Sequence, residues 1–435
     1  MSDSAPAAPQ TTRVPVIVGG NRIPFGKAGG GYAAASNQDM LTAALDGLVA
    51  RFGLAGERLG EVAAGAVLKH AKDFSLTRES VLGSALDPAT AAYDLQQACG
   101  TGLETVVQVA NKIALGQIEV GIAGGVDSAS DAPIAVSDRL RAALLNASRA
   151  KTLAQRVKAL AAIRPKDFTP QTPRNSEART GLSMGEHQAI TAKEWGISRE
   201  AQDELAAASH HHLAQAWDGG FFDDLVTPFM RVTRDQDLRP DTSVEALAKL
   251  KPVFGKGEGA TMTAGNSTPL SDGAALVLIA EQQWAREHHL PVLARVVDSE
   301  VAAVDYVSGD EGLLMAPAYA VSRLLERQGL TLQDFDEYEI HEAFASTVLA
   351  TMAAWESDEF CRERLGRDAA LGSIDRSRLN IHGSSLAAGH PFAATGGRIV
   401  ATLAKSLAQK GTGSRGLVSI CAAGGQGVVA ILEAV

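Results

Sequence analysis

The chain has 435 residues, 46% of them apolar and 21% charged. That balance excludes a mainly disordered chain and gives room for two large domains or about three of ordinary size. Forty basic against fifty acidic residues leave a net charge of −10, which argues against a general nucleic-acid binder.

Residues 1–12 are rich in Ser, Ala, Pro, Gln and Thr and lack an apolar stretch, so they read as a disordered tail rather than a secretory signal. Residues 14–18 (VPVIV) form a continuous β-branched run closed by Gly19 and Gly20, the signature of a strand buried on both faces. Residues 41–52 have helical spacing. Residues 102–115 do too, and they follow Gln97-Ala98-Cys99-Gly100. Short apolar runs at 120–123, 274–279, 292–297, 417–420 and 428–432 read as further strands, and 202–217 as a helix. Strands alternating with helices predict an α/β chain with largely parallel sheets. A soft boundary falls at residues 281–290. No apolar run reaches the ~18 residues of a membrane-spanning helix.

Four positions could carry chemistry. Cys99 stands where a strand gives way to a helix, and a helix N-terminus lowers a thiol pKa. A packed, inert cysteine is the plain alternative. Cys421 follows the run 417–420 and opens Cys421-Ala422-Ala423-Gly424-Gly425, a turn able to aim N–H groups at an oxyanion. Packing before a tight hairpin is the competing reading. His390 precedes Pro391, a residue suited to a helix start, and could take a thiol proton. His341 follows a strand pattern and opens an Ala-rich helix, where capping is the simpler role. The third cysteine, Cys361, lies in a charged stretch and looks incidental. Three cysteines are too few for a disulfide framework and suit a reducing compartment, read as the cytoplasm.

Other patterns carry less. Gly411-Thr412-Gly413-Ser414-Arg415-Gly416 has a helix before it and a strand after it, the reverse of a dinucleotide site. His210, His211 and His212 are adjacent on a helix and point apart, so no metal is expected. Residues 139–166 hold eight basic side chains and no acidic one, with Leu140, Leu144, Leu153, Val157 and Leu160 at helical spacing. This is a solvated face or a basic amphipathic surface for an anionic partner.

Taken in order, the motifs resemble the thiolases, the 3-ketoacyl-CoA/acetyl-CoA acyltransferases. They are Arg22-Ile23-Pro24-Phe25-Gly26, the Cys99 turn, Gly124-Gly125-Val126-Asp127-Ser128, Met184-Gly185, Thr263-Ala264-Gly265-Asn266-Ser267-Thr268, His341-Glu342-Ala343-Phe344, Gly389-His390-Pro391 and the Cys421 turn. The resemblance implies a five-layered α/β fold of two similar halves with an inserted loop domain. The halves would span residues 13–285 and 286–435, and the loop domain about 130–260. It implies Cys99 as the acylated nucleophile, His390 as its base and Cys421 as the second acid/base. His390 with a group held by the His341 motif would form one oxyanion hole, and N–H groups near Cys99 and Ala423 the other. Met184, Ser267 and Thr268 would line the pantetheine arm. Coenzyme A enters as substrate, with no cofactor and no metal. The family is dimeric or tetrameric as a rule.

Most thiolases carry Asn where this chain has His341. The His form resembles the β-subunits of the fatty-acid-oxidation trifunctional complex. This implies degradative thiolysis and makes residues 139–166 a docking surface for a hydratase/dehydrogenase partner subunit. The alternatives are a biosynthetic thiolase, a ketoacyl synthase of the same superfamily, and a non-catalytic acyl-CoA carrier. A synthase has no task for Cys421, and a carrier has none for either cysteine.

Overall fold

The computed structural model describes residues 13–257, 259–308 and 310–435. The disordered tail expected at residues 1–12 lies outside them. The long strands are β1 (Pro15–Arg22), β2 (Glu61–Ala64), β3 (Ala91–Asp94), β4 (Val120–Ser128), β5 (Ser271–Glu281), β6 (Ala294–Ala303), β7 (Glu337–Ile340), β8 (Arg415–Ala422) and β9 (Gln426–Ala434). The helices used below are α1 (Asn37–Phe52), α2 (Thr101–Ala114), α3 (Asp138–Arg149), α4 (Leu153–Ala161), α5 (Met184–Glu194), α6 (Arg199–Asp218), α7 (Ala316–Gln328), α8 (Ala345–Glu356) and α9 (Thr395–Lys410).

The strands lie in the order β7-β8-β9-β6-β1-β5-β4-β2-β3, with the two-residue strand Gly26–Lys27 paired to β5. The two ends of this sheet are related. On one side β2 runs parallel to β4, then β5 and β1 follow antiparallel. On the other β7 runs parallel to β8, then β9 and β6 follow antiparallel. The halves meet where Val16 pairs with Arg295 and Ile17 with Ala294.

The largely parallel sheet expected from the sequence is therefore mixed. The apolar runs report burial on both faces, and an antiparallel strand reads the same way when helices cover both sides. Alternation along each strand supplies those two faces. Ile17, Ala275, Val277 and Ile279 face a core shared with α2 and α9, and so do Val418 and Ile420. Val16, Val18, Leu276 and Leu278 turn outward onto α1. Leu417, Val429 and Ile431 turn outward onto α7. The result is helix, sheet, paired central helices, sheet, helix.

The glycine pairs expected to end strands lie inside them. β1 runs through Gly19 and Gly20, and β4 through Gly124 and Gly125. Their role is close packing: a Cβ on Gly20 would sit 2.4 Å from the Ala401 Cβ of α9, and one on Gly125 2.3 Å from the Ala393 carbonyl. The central helices touch through glycine as well. A Cβ on Gly396 would lie 2.1 Å from the Leu103 N, and one on Gly102 2.6 Å from the Ala393 carbonyl. Bare backbone at this crossing brings the start of α2, beside Cys99, against the start of α9, beside His390.

Between β4 and β5 the chain leaves the sheet to build α3 to α6 and a small sheet of Pro252–Phe254 with Met262–Thr263. Among the described residues no helix is long and apolar enough to cross a membrane.

Candidate active site

Cys99 stands just before Gly100, the cap of α2. The residue ahead of it, Ala98, has φ 47°. This left-handed conformation costs a residue with a Cβ on the order of 1–3 kcal/mol and has to be imposed by its surroundings. Thr101 imposes it: its hydroxyl accepts from the Gln97 N–H at 2.8 Å and donates to the Ala98 carbonyl at 2.7 Å.

His390 arrives from the other half. Gly389 has φ 93°, and a Cβ there would lie 2.3 Å from the Ser271 Oγ. Pro391 does not open an α-helix, as expected, but a 3-10 turn at Phe392–Ala394 that leads into α9 at Thr395. Asp127, wholly buried, holds this turn. Its carboxylate accepts from the Ala393 N–H at 2.8 Å, and from Val67 and Leu68. The His390 Nε2 then meets the Cys99 Sγ at 3.1 Å, while its Nδ1 lies 2.6 Å from the Thr395 Oγ1.

The second pair comes from neighbouring strand ends. β7 and β8 are parallel, and the His341 N–H extends their ladder by donating to the Ser419 carbonyl at 2.8 Å. His341 thus ends a strand rather than starting a helix, because α8 begins only at Ala345. Its ring centroid lies 4.2 Å from that of His390. Two residues past Ser419, Cys421 is buried at the end of β8 and adjoins Cys99. The backbone N–H groups of Ala423 and of Cys99 itself lie near the Cys99 sulfur. One cluster therefore gathers Cys99, His341, His390 and Cys421.

The electrostatics depart from expectation. A helix N-terminus was expected to lower the Cys99 pKa, yet burial pushes it up to about 12 and outweighs the nearby backbone N–H groups of Ala423 and Cys99. Burial, and then the neighbouring Cys99, raise Cys421 further still. Burial and then Arg398 lower His390 to about 3. The resting pair is a neutral thiol donating to a neutral imidazole, not a thiolate–imidazolium pair. Below its pKa a thiol gains tenfold in thiolate per pH unit. Alkylation of Cys99 by iodoacetamide is accordingly expected to rise continuously from pH 6 to pH 9. A plateau with its midpoint near pH 6 would contradict the neutral pair.

The remaining sequence-selected residues take supporting places. Thr268 accepts nothing from the histidines but binds their loop: its Oγ1 donates to the Ala343 carbonyl at 3.0 Å. Ser267 donates to the Thr263 carbonyl at 2.7 Å and bridges to Phe344. Met184 begins α5 and packs in the apolar cluster that includes Phe254, Phe344 and Cys421. Phe254 also lines a cavity of about 740 Å³ with Ile190, Lys193, Val253 and Lys256. The three adjacent histidines do not converge: His210 accepts from the Arg239 N–H, while His211 and His212 meet the carbonyls of Thr242 and Asn380. Cys361 is buried against the end of α8, where its thiol meets the carbonyls of Ala354 and Trp355. Ligating atoms of Cys99, His341 and His390 fall within 4.8 Å of one another, a spacing that could hold a metal ion. The thiol-to-imidazole hydrogen bond among them equally suits proton transfer.

Sequence reading missed Thr395, Ser385, Arg398 and the structural role of Asp127. The signal for Arg398 was a single charge in the apolar run of α9, where burial needs a reason.

Residues 15–283 match the thiolase N-terminal domain model and residues 290–434 the thiolase C-terminal domain model. The chain belongs to the thiolase family. It is 39% identical to the 3-ketoacyl-CoA thiolase of Yersinia enterocolitica over 423 residues, covering 96% of each chain. The 3-ketoacyl-CoA thiolase of Yersinia pestis gives the same identity over 424 residues, with the same coverage. The structure of human mitochondrial 3-ketoacyl-CoA thiolase superposes with a TM-score of 0.79 at 27% identity, covering 98% of this chain and 100% of that one. The Bacillus anthracis acetyl-CoA acetyltransferase superposes with a TM-score of 0.79 at 29% identity, covering 98% and 99%. This thiolase is thus an acyltransferase by family, and its mixed α/β fold is that of its relatives.

Proposed function

We propose that this thiolase cleaves 3-ketoacyl-CoA with CoA to give acetyl-CoA and a shortened acyl-CoA, as part of fatty-acid β-oxidation. The observation that carries this reading is the second cysteine beside the nucleophile, since thiolysis needs two separate proton transfers. Cys99 attacks the 3-keto carbon and its proton passes to His390. The bond between C2 and C3 then breaks. The enolate of acetyl-CoA takes a proton at C2 from Cys421, leaving the shortened acyl group on Cys99. The Cys421 thiolate next removes the proton of an incoming CoA, whose sulfur attacks the acyl carbon. The proton held by His390 returns to Cys99. The N–H groups of Cys99 and Ala423 receive the tetrahedral oxyanions, and His390 with His341 the enolate oxygen. The thioester acidifies the α-carbon, so the scheme draws on no metal or redox cofactor. The cavity beside Phe254 carries Lys193 and Lys256 on its wall together with Glu186 and Glu194, and the two lysines would meet the phosphate-bearing part of CoA. Met184 packs with Phe254 and Cys421 in one apolar cluster, and Ser267 and Thr268 pair with the adjoining Ala343–Phe344 segment.

CoA-dependent cleavage at several acyl lengths tests the reading. Turnover with 3-ketoacyl-CoA is expected. Turnover only with a malonyl thioester would move the assignment to a ketoacyl synthase, and binding without turnover to a carrier.

The same reading places the enzyme in the cytoplasm as a homo-oligomer, dimer or tetramer, with a hydratase/dehydrogenase partner on residues 139–166. Support for the partner comes from α3 and α4. Leu144, Leu145, Leu153, Val157 and Leu160 are exposed, and α4 buries none of its residues. Among the described residues Arg149, Lys151, Arg156 and Lys158 make no ion pair. Reversing these four charges is expected to weaken pull-down of the partner about tenfold or more while cleavage is unchanged. Unchanged association would remove the docking surface.

A further inference from the structure

Two imidazoles whose ring centroids lie 4.2 Å apart in one site are asked for opposite chemistry at rest. His390 has to accept a thiol proton at Nε2, so its own proton sits on Nδ1 and points to the Thr395 Oγ1. The His341 Nε2 is buried among the same groups and has no hydrogen-bond partner, while its Nδ1 lies 2.8 Å from the Ser385 Oγ. What decides its tautomer is the group behind Ser385. Arg398, buried in α9, places its Nη2 3.1 Å from the Ser385 Oγ and 3.1 Å from the Ser384 Oγ. A guanidinium has donors only. It fills one lone pair of the Ser385 hydroxyl, and the remaining partner of that hydroxyl is His341. If the Nδ1 also donated, the buried Ser385 O–H would be left unpaired, at a cost of about 1–3 kcal/mol.

We propose that Arg398 and Ser385 form a positioning relay that fixes His341 as the Nε2–H tautomer. The guanidinium donates to Ser385, Ser385 donates to the His341 Nδ1, and the His341 Nε2–H is left as a neutral donor aimed into the site. The relay rests on the reading that His341 donates to the enolate oxygen. It gives that donor a cause: Arg398 polarises the serine hydroxyl and, as a like charge, disfavours an imidazolium at His341. The donor is fixed before substrate arrives, so no reorganisation is needed as negative charge develops. Before reaction the two rings differ by tautomer, His390 as acceptor and His341 as donor, and His390 becomes a donor only once it holds the Cys99 proton. Neither Ser385 nor Arg398 touches substrate in this scheme, so both are positioning residues.

The test uses the full-length enzyme and two readouts. Nitrogen-15 spectra of histidine-labelled protein report the tautomer directly. The wild type is expected to show a His341 with protonated Nε2 and bare Nδ1, and Ser385→Ala a mixture of both forms. Exchange of the acetyl-CoA α-protons with heavy water reports enolate formation. In Ser385→Ala its kcat is expected to fall roughly 10- to 100-fold with KM within about twofold, in line with the loss of an oxyanion donor. Cys99 alkylation and its pH dependence should be unchanged, because His390 keeps Thr395. Ser385→Thr should restore the exchange. A protonated Nδ1 at His341 in the wild type would overturn the relay and leave the thiolase reading intact. A tautomer mixture without any fall in exchange would instead overturn the donor role of His341. If Ser385→Ala fails to fold, the wild-type spectrum and Ser385→Thr still decide the relay.

Discussion

Cys99→Ala is expected to lower CoA-dependent cleavage of 3-ketoacyl-CoA by roughly 10⁴-fold or more, with acyl-CoA still bound. The size follows from the geometry. The sulfur is the atom that the His390 Nε2 meets at 3.1 Å. Among the described residues the other thiol of the site, Cys421, makes no hydrogen bond to His390. The variant should fold, since the strained Ala98 turn is set by the Thr101 hydroxyl and not by the thiol. Isothermal titration with acyl-CoA beside the turnover assay checks both halves of the prediction.

Cys421→Ala is expected to lose cleavage by roughly 10³-fold, within the range of a positioned acid/base, but to fail at a different step. Loading of Cys99 from acetyl-CoA is the discharge step in reverse: His390 takes the thiol proton and Cys421 gives one to the leaving CoA sulfur, which can also depart as a thiolate. It should therefore be slowed in Cys421→Ala and vanish in Cys99→Ala. Exchange of the acetyl-CoA α-protons needs Cys421 and should vanish in Cys421→Ala. Loading followed by mass spectrometry, with exchange followed by proton NMR, separates the two. Equal loss of both activities in Cys421→Ala would mean that the residue supports the Cys99 site rather than acting on C2.

The chemistry was legible in the chain because Cys99, His390 and Cys421 each stand beside Gly or Ala where one element gives way to the next, and His341 follows a strand. Such places form the open end of an α/β sheet. The groups that tune them were not legible. Ser385 and Thr395 are hydroxyls in small-residue turns, where a helix cap is the ordinary use. Which atom each one meets depends on how segments 5 to 44 positions apart fold together within the C-terminal half. The sign of the Cys99 shift was hidden for a related reason. A helix N-terminus is local and can be read from sequence, whereas the burial that outweighs it comes from residues 300 positions away. Gly19-Gly20 and Gly124-Gly125 misled similarly: a glycine pair looks alike whether it ends a strand or lets a helix press against one.

The most direct test of the two-cysteine mechanism is a single turnover without free CoA. Wild-type enzyme mixed with 3-ketoacyl-CoA should release one acetyl-CoA per active site and stop. Intact mass and peptide mapping should then find the shortened acyl group on Cys99, and added CoA should discharge it. Release of acetyl-CoA with Cys99 unmodified, or an adduct on Cys421 instead, would contradict the assignment of the nucleophile and with it the division of roles in this site.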